Sequence, residues 1–412
     1  MSKACHWIPR VDLDKIRMPN EREILIRRTE VMNSISSIDQ KSVAEPLFVS
    51  KPLLPDLNQV NEYMARIWAS GHVTNHGPLS LQLEDRLAQF LEAPTAMLFN
   101  NGTSGILVAL KHFNLPAGSE VITTPMTFAA TAHSIAWNNL RPVFADIRES
   151  DLTIDPAAVE AAVTPNTSAI LAVHSYGCIC DHDALQTIAK KHNLKLIYDA
   201  AHAFGSRLDG RSVATLGDAS IFSFHATKLY NTIEGGLVTT PDPSDRESIY
   251  LLRNFGIKNE EEVVSIGLNG KINEMQAAIG LLNLEIFERE RTARSTLRRK
   301  YKEILSGLDG VLVQDVGQNA TQSEQYFLVR IAAEKFGRHR DDIKKELDSY
   351  KIHCRKYFYP LCTDYVPYRD SSIVTTRHVP YAETAKQQVL CLPFHSSVSD
   401  SHLRIMEDVF RR

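Results

Sequence analysis

Residues 219–240 read ASIFSFHATKLYNTIEGGLVTT. Two apolar runs, ASIFSF and GGLVTT, flank a loop of small, hydroxyl and charged residues with Lys228 near its middle. Runs this short, bounded by turn residues, read as strands buried on both faces. The same pattern recurs upstream at KLIYDAA (195–201), SAILAVHS (168–175), PVFADI (142–147), EVITT (120–124) and AMLFN (96–100). Helix-length segments lie between several of these runs, at 106–113, 128–138 and 183–192. Strands alternating with helices predict an α/β domain, and the seven runs together predict one mostly parallel, seven-stranded sheet.

Downstream, a helical pattern over 273–299 is followed by strand-like runs at 326–332 and 352–358, with a helix expected over 338–350. That order predicts a smaller α+β end domain. A chain of 412 residues also exceeds the length at which one core keeps growing. The expected division is an N-terminal extension over 1–45, a large domain over 46–285 and a small C-terminal domain over 286–412. The extension is polar, with an amphipathic stretch over 21–34 and a Ser-rich patch over 33–37, and reads as a poorly ordered or surface-packed arm.

Lys and Arg number 46 against 49 Asp and Glu, for a net charge of −3, so no basic block marks a nucleic-acid or membrane surface. Six scattered cysteines are too few for a disulfide scaffold and fit a reducing compartment. Cys178 and Cys180 are closely spaced, but no second pair completes a metal set, and small residues after a buried strand explain them. No bound metal is expected. The first residues, MSKACHWIPRVDLDK, lack the apolar core of a secretory signal, and no 18-residue apolar stretch occurs, which together predict a cytoplasmic location.

A lysine at the end of a buried strand, in a loop of small and hydroxyl residues, is partly desolvated and becomes a competent amine nucleophile. Alone, Lys228 reads more readily as a surface lysine in a turn, because lysines in loops are common. Tyr198-Asp199-Ala-Ala-His202 changes that reading, because an acid closes an otherwise apolar run. Pyridoxal 5′-phosphate needs such a carboxylate against its pyridine nitrogen to keep the ring protonated. Asp199 suits that role, although it also suits a helix cap. Asn100-Asn101-Gly102-Thr103-Ser104-Gly105, between a strand and a helix, offers backbone N–H groups and hydroxyls to a phosphate, and Ser223 can add another hydroxyl. Phe128, just after a strand, can lie over the face of a cofactor ring or sit in a core.

The segments NNGTSG, TPMTFAATAHSIAW, RPVFADI, IYDAAHAFGS, SFHATKLYNTIEGG, LRNFGIKN and NGKINEMQAAIGL together resemble the DegT/StrS family of sugar aminotransferases, from about Leu54 to the C-terminus. The resemblance implies the fold-type I aspartate aminotransferase architecture and a homodimer with active sites at its interface. It also implies that Lys228 is the Schiff-base lysine, Asp199 the pyridine partner and His202 the residue beside the cofactor hydroxyl. Phe128 becomes the stacking ring, and Gly102, Thr103, Ser104 and Ser223 form the phosphate site. Asn254 matches the asparagine that reaches into the partner subunit's cofactor site. Many members carry Gln where His202 stands. A related branch that dehydrates sugars has histidine at the Lys228 position, so lysine here implies transamination.

The SFHATK and EGG pairing, the TFAAT stretch and the segment HCRKYFYPLCTDYVPYR (353–369) are most similar to enzymes that aminate dTDP-4-keto-6-deoxy-D-glucose at C-4. Enzymes acting at C-3 usually carry a GDAG-like run in place of Glu234-Gly235-Gly236. The implied reaction takes an amino group from L-glutamate and gives it to a nucleotide-linked ketosugar. Candidates near the sugar are Thr74 and Asn75 in SGHVTNHGP, Lys271, and Tyr357, with Tyr359 and His353 beyond them. Turn chemistry, a solvated charge and core packing account for Asn75, Lys271 and Tyr357 equally well. The competing readings are a C-3 aminotransferase, a sugar dehydratase, and a non-catalytic nucleotide-sugar-binding regulator. Against the last, a pure binding module has no need of a carbanion-stabilising acid beside a reactive lysine.

Overall fold

The computed structural model describes residues 45–314, 317, 319–369, 375, 376 and 378–412. The amphipathic and Ser-rich stretches of the N-terminal extension lie outside these residues. Residues Pro46–Arg412 form one compact unit.

All seven apolar runs become strands of one sheet: β1 (Met97–Phe99), β2 (Glu120–Thr123), β3 (Arg141–Phe144), β4 (Thr167–Val173), β5 (Lys195–Asp199), β6 (Ala219–Ser223) and β7 (Gly236–Thr239). Their spatial order is β3-β2-β4-β5-β6-β7-β1, and the two-residue strand Thr375–Thr376 adds an eighth member beside β3. The expected count of seven is therefore corrected to eight. The added strand is too short to leave a hydrophobic pattern. Only β7 runs against its neighbours, pairing antiparallel with β6 and β1.

Alternate side chains on each strand enter opposite layers, as the period of two requires. Leu98, Ile122, Ile170, Leu196, Tyr198, Phe222 and Leu237 share one buried cluster, while Met97, Phe99, Val121, Leu171, Ile197, Ile221 and Val238 share another. Helices α1 (Leu57–Ser70), α2 (Pro78–Leu91), α3 (Gly102–His112), α4 (Ala129–Trp137), α5 (His182–His192) and α6 (Asp245–Arg253) flank the sheet. With both faces covered, the strands carry few polar residues, which is why they read as continuous apolar runs.

The next helix, α7 (Glu274–Leu305, 32 residues), starts at a reciprocal cap in which Asn273 and Gln276 satisfy each other's backbone N–H groups. Its first half packs against α1 and α2 and joins the core on one face of the large sheet through Ala277, Ala278 and Leu281. Its second half packs through Leu297, Tyr301 and Leu305 on the three-stranded sheet formed by β8 (Val311–Val313), β9 (Phe327–Ile331) and β10 (Val389–Leu392). The division expected between residues 285 and 286 thus falls inside one continuous helix. Helix α8 (Arg340–Ser349) matches expectation. The strand expected over 352–358 is confined to Ile352–His353, which pairs in parallel with Leu47–Phe48. The aromatic residues after it, Tyr357 and Phe358, form part of a cavity wall instead. Among the described residues, no helix is long and apolar enough to cross a membrane.

Strands β1, β2, β4, β5 and β6 end at one edge of the sheet, and β7 begins there. In open α/β sheets that carboxyl edge is where ligands bind. Its closest backbone approach joins Gly236, at the start of β7, to the turn after β1. A Cβ on Gly236 would stand 2.6 Å from the carbonyl carbon of Asn101 and 2.7 Å from the nitrogen of Gly102. Replacing Gly236 with Ala should cost about 1–3 kcal/mol of stability by overpacking. It should also displace the turn. A thermal melt and a cofactor titration of Gly236→Ala, both unchanged from the parent, would show that the contact is not needed.

Candidate active site

A cavity of about 290 Å³ opens at this edge. Its walls bring together Gly102, Thr103, Phe128, Asp199, His202, Ser223, Lys228 and Tyr357, residues drawn from five separate stretches of the sequence. Ser104 does not line it. Its backbone N–H is taken by the side chain of Asn101, which caps α3 at 2.8 Å and itself faces the cavity. Asn101 therefore takes the place expected for Ser104, and its position as helix cap was the signal to read.

Lys228 sits in the β6–β7 connection. Backbone hydrogen bonds from Phe224 N to Gly235 O (2.8 Å) and from Ala226 N to Ile233 O (2.7 Å) hold this loop narrow. Gln325, from the strand-bearing C-terminal part, grips it from outside by accepting from Leu229 N–H (2.8 Å) and donating to Thr227 O (3.2 Å). The Lys228 ammonium lies 6.0 Å from the Tyr326 ring centroid. Burial lowers its pKa from 10.5 to about 8, with the charge of Asp199 opposing the shift. A folded-state value below the unfolded one means that the charged amine costs stability below pH 8. That cost is relieved as pH rises from about 8 to 10.5.

Asp199 ends β5 and is buried. Burial raises its pKa, while the Thr131 hydroxyl (2.7 Å) and the Ala201 N–H (3.1 Å) favour the ionised form. Thr131 in turn contacts Thr127 at 2.9 Å, so a hydroxyl chain from α4 fixes the carboxylate. Thr131 lay inside the TFAAT motif but drew no role from the sequence. No ion pair joins Lys228 to Asp199, and both line the cavity. Phe128, at the N-cap of α4, is 63% exposed although it lines the cavity, leaving a ring face for a planar partner.

His202 is buried, stacked on Phe358 (5.9 Å, 12°), with the Tyr326 ring edge-on at 5.0 Å. Its Nδ1 lies 3.3 Å from the backbone N–H of Tyr176 and accepts from it, which places the ring proton on Nε2. Burial and the nearby Lys228 charge hold its pKa well below the ordinary value, so the ring is neutral.

Asn75, Asn254 and Lys271 do not enter this cavity. They line a separate surface pocket together with His76, Arg246, Arg253 and Lys258. There Lys271 Nζ donates to Asn254 Oδ1 at 2.6 Å. Asn75 and His76 hold left-handed backbone angles, φ 63° and 59°. Thr74 lines neither cavity. His353 and Tyr359 line a third groove that shares Tyr357 with the first.

A reactive amine, a fixed carboxylate, an open aromatic face and a helix N-terminus in one cavity fit a planar, phosphorylated cofactor. A profile of the DegT/DnrJ/EryC1/StrS aminotransferase family matches residues 56–410. The chain belongs to this aminotransferase family. Its fold is therefore fold-type I, and its cofactor is pyridoxal 5′-phosphate. A dTDP-4-amino-4,6-dideoxy-D-glucose transaminase from Shigella dysenteriae is 39% identical over 367 residues, covering 89% of this chain and 99% of that protein. One of the same name from Escherichia coli is 37% identical over 353 residues, covering 85% and 94%. The crystal structure of DesI in the presence of its TDP-sugar product matches with a TM-score of 0.84 at 38% identity, over 89% of this chain and 92% of that one.

Burial of Lys228 makes a kinetic prediction. In the cofactor-free protein, reductive capture of an aldehyde at Lys228 should follow the free-amine fraction, half-maximal near pH 8. Peptide mass spectrometry across pH reads this directly, and a midpoint at the ordinary lysine value would remove desolvation as the activating device.

Proposed function

We propose that this aminotransferase moves the amino group of L-glutamate to the C-4 keto group of a nucleotide-linked deoxysugar, with dTDP-4-keto-6-deoxy-D-glucose as acceptor. The observation that carries the chemistry is the cavity shared by Lys228 and Asp199. The acceptor follows from the names of the two transaminases above, reinforced by Glu234-Gly235-Gly236 after the lysine loop.

When bound, pyridoxal phosphate supplies an aldehyde that receives the amino group and a ring that withdraws electrons from the reacting carbon. Asp199 holds a proton on the ring nitrogen. Phe128 would lie against the ring, and His202 would offer its Nε2–H to the ring hydroxyl. Asn101, Gly102, Thr103 and Ser223 present N–H and hydroxyl groups to the phosphate at the start of α3. With the cofactor bound, the Lys228 amine would be the group that takes the proton from the amino-acid α-carbon and returns it in the other half of the reaction. With the ketosugar it makes the same transfer in reverse. A pKa near 8 suits a group that must both accept and release that proton at neutral pH.

The working unit in this proposal is a cytoplasmic homodimer. Beside Asn254, the segment 255–266 exposes Phe255, Ile257, Val263, Val264 and Ile266, the last at 86%. Exposed apolar side chains clustered beside a candidate site residue support a surface that a second copy would cover. Across that interface Asn254 and Lys271 meet the partner's cavity. The buried thiols of Cys178, Cys180, Cys354, Cys362 and Cys391 stand outside any disulfide, in agreement with a reducing compartment.

The visible spectrum of the cofactor-loaded protein tests the reaction. L-glutamate should shift the bound-cofactor band, dTDP-4-keto-6-deoxy-D-glucose should restore it, and Lys228→Ala should abolish both changes. Conversion by glutamate without restoration by this sugar would leave transamination standing and reject the acceptor. The shared site has its own test. Lys228→Ala and Asn254→Ala, each nearly inactive alone, should recover about a quarter of parental activity after subunit exchange, because each mixed dimer holds one intact site. No recovery in mixtures shown to contain mixed dimers would place Asn254 outside the partner's site.

A further inference from the structure

We propose that Glu84 and Arg253 clamp the free edge of β1 and so set the phosphate turn, which makes both of them positioning residues for the cofactor although neither lines its cavity. Strand β1 has β7 on one side only. An edge strand leaves N–H and C=O groups unpaired at every second residue, and inside a protein these need partners. On β1 the residue concerned is Leu98. Its N–H donates to Glu84 Oε1 at 2.9 Å, and its carbonyl accepts from Arg253 Nη1 at 2.6 Å. That same Nη1 donates to Glu84 Oε1 at 2.7 Å, which closes the ring of contacts.

Glu84 is 1% exposed and Arg253 4%. Burial pushes the Glu84 carboxyl up, but the hydrogen bond from His76 and the charge of Arg253 reverse this and hold it below its ordinary value. Its second oxygen is occupied by His76 Nε2 at 2.9 Å and by the Tyr250 hydroxyl. Stability alone gives little reason for two charges here, since well-packed apolar replacements for a buried ion pair are often neutral or stabilising.

What the pair holds supplies the reason. Two residues after Leu98, the N–H of Asn100 donates to Gly270 O at 2.7 Å, and the N–H of Gly270 donates to Arg253 O at 2.9 Å. Arg253 therefore reaches the turn by two routes, through its guanidinium on Leu98 and through its backbone by way of Gly270. Glu84 also fixes His76, whose left-handed backbone lies in the pocket shared with Asn254 and Lys271. One buried carboxylate thus positions the phosphate turn of its own site and the residues assigned to the partner's site.

This inference rests on the reading of the 101–103 turn as the phosphate holder, and the test separates the two. Glu84→Gln keeps an acceptor for Leu98 N–H but removes the charge. Arg253→Lys keeps the charge but loses the planar grip. Cofactor dissociation constants would be measured by absorbance titration, at a temperature where circular dichroism shows each variant folded. Thr103→Ala probes the turn directly. Leu347→Ala, in the core of the three-stranded sheet, controls for loss of stability.

Both clamp variants should bind the cofactor about tenfold more weakly, while Leu347→Ala leaves binding unchanged. Should Glu84→Gln fail to fold, Arg253→Lys carries the same reading. Unchanged affinity in the clamp variants, with Thr103→Ala weakened, overturns the clamp and leaves the turn standing. Unchanged affinity in Thr103→Ala overturns the turn assignment, and the clamp falls with it.

Discussion

An amine and a carboxylate held out of bulk water, near enough to feel each other but not paired, are what the rest of this architecture serves. Burial favours the neutral amine on Lys228 and the neutral acid on Asp199, while their mutual attraction favours both charges. An ion pair would lock the two together and leave neither free. Separation is kept because they stand on different elements, Asp199 at the end of β5 and Lys228 in the loop after β6, while Thr131 and Gln325 tie each to a different neighbour. The parallel sheet is the device that brings such distant residues to one edge and holds them apart there.

The sheet was legible because its strands are buried on both faces, so each left an unbroken apolar run between turn residues. Thr375–Thr376 left none, since a two-residue strand has no period. The stretch 352–358 misled for the opposite reason. Its aromatic and β-branched composition suits a strand, but after His353 those rings go to the cavity wall rather than to a ladder. Propensity for a pleated, half-buried surface does not tell a sheet from a wall. The boundary expected at 285/286 left no mark, because one helix serves two cores and its pattern does not break where the core changes.

The site was legible where chemistry demanded a residue type at a strand end, as at Lys228, Asp199 and the Gly102–Thr103 turn. It was not legible where the partner came from far away in sequence. Thr131 lies 68 residues before the carboxylate it fixes, and Gln325 lies 98 residues after the Thr227 carbonyl it holds. Ser104 shows a subtler limit. The motif offers two hydroxyls in succession, but the first turn of a helix leaves several N–H groups unpaired, and one of them is claimed by the capping side chain. Which group faces the ligand is settled by that competition.

His202 completes the argument, because the resemblance to the family implies glutamine at this position in many members. The two side chains differ in shape and in titration, yet the environment removes the second difference. A histidine that could charge would repel the Lys228 ammonium and add a proton to a site that must keep its own in order. Burial and Lys228 together hold His202 neutral, and the Tyr176 N–H occupies Nδ1, so what remains toward the cavity is a single uncharged N–H donor. A glutamine amide likewise offers an uncharged N–H donor, although it brings a second N–H and a carbonyl. The stacked Phe358 and edge-on Tyr326 then orient the imidazole as an amide would be oriented by its own hydrogen bonds. On this account the position selects a neutral donor of fixed direction, and the apolar wall around it is what allows histidine to be one.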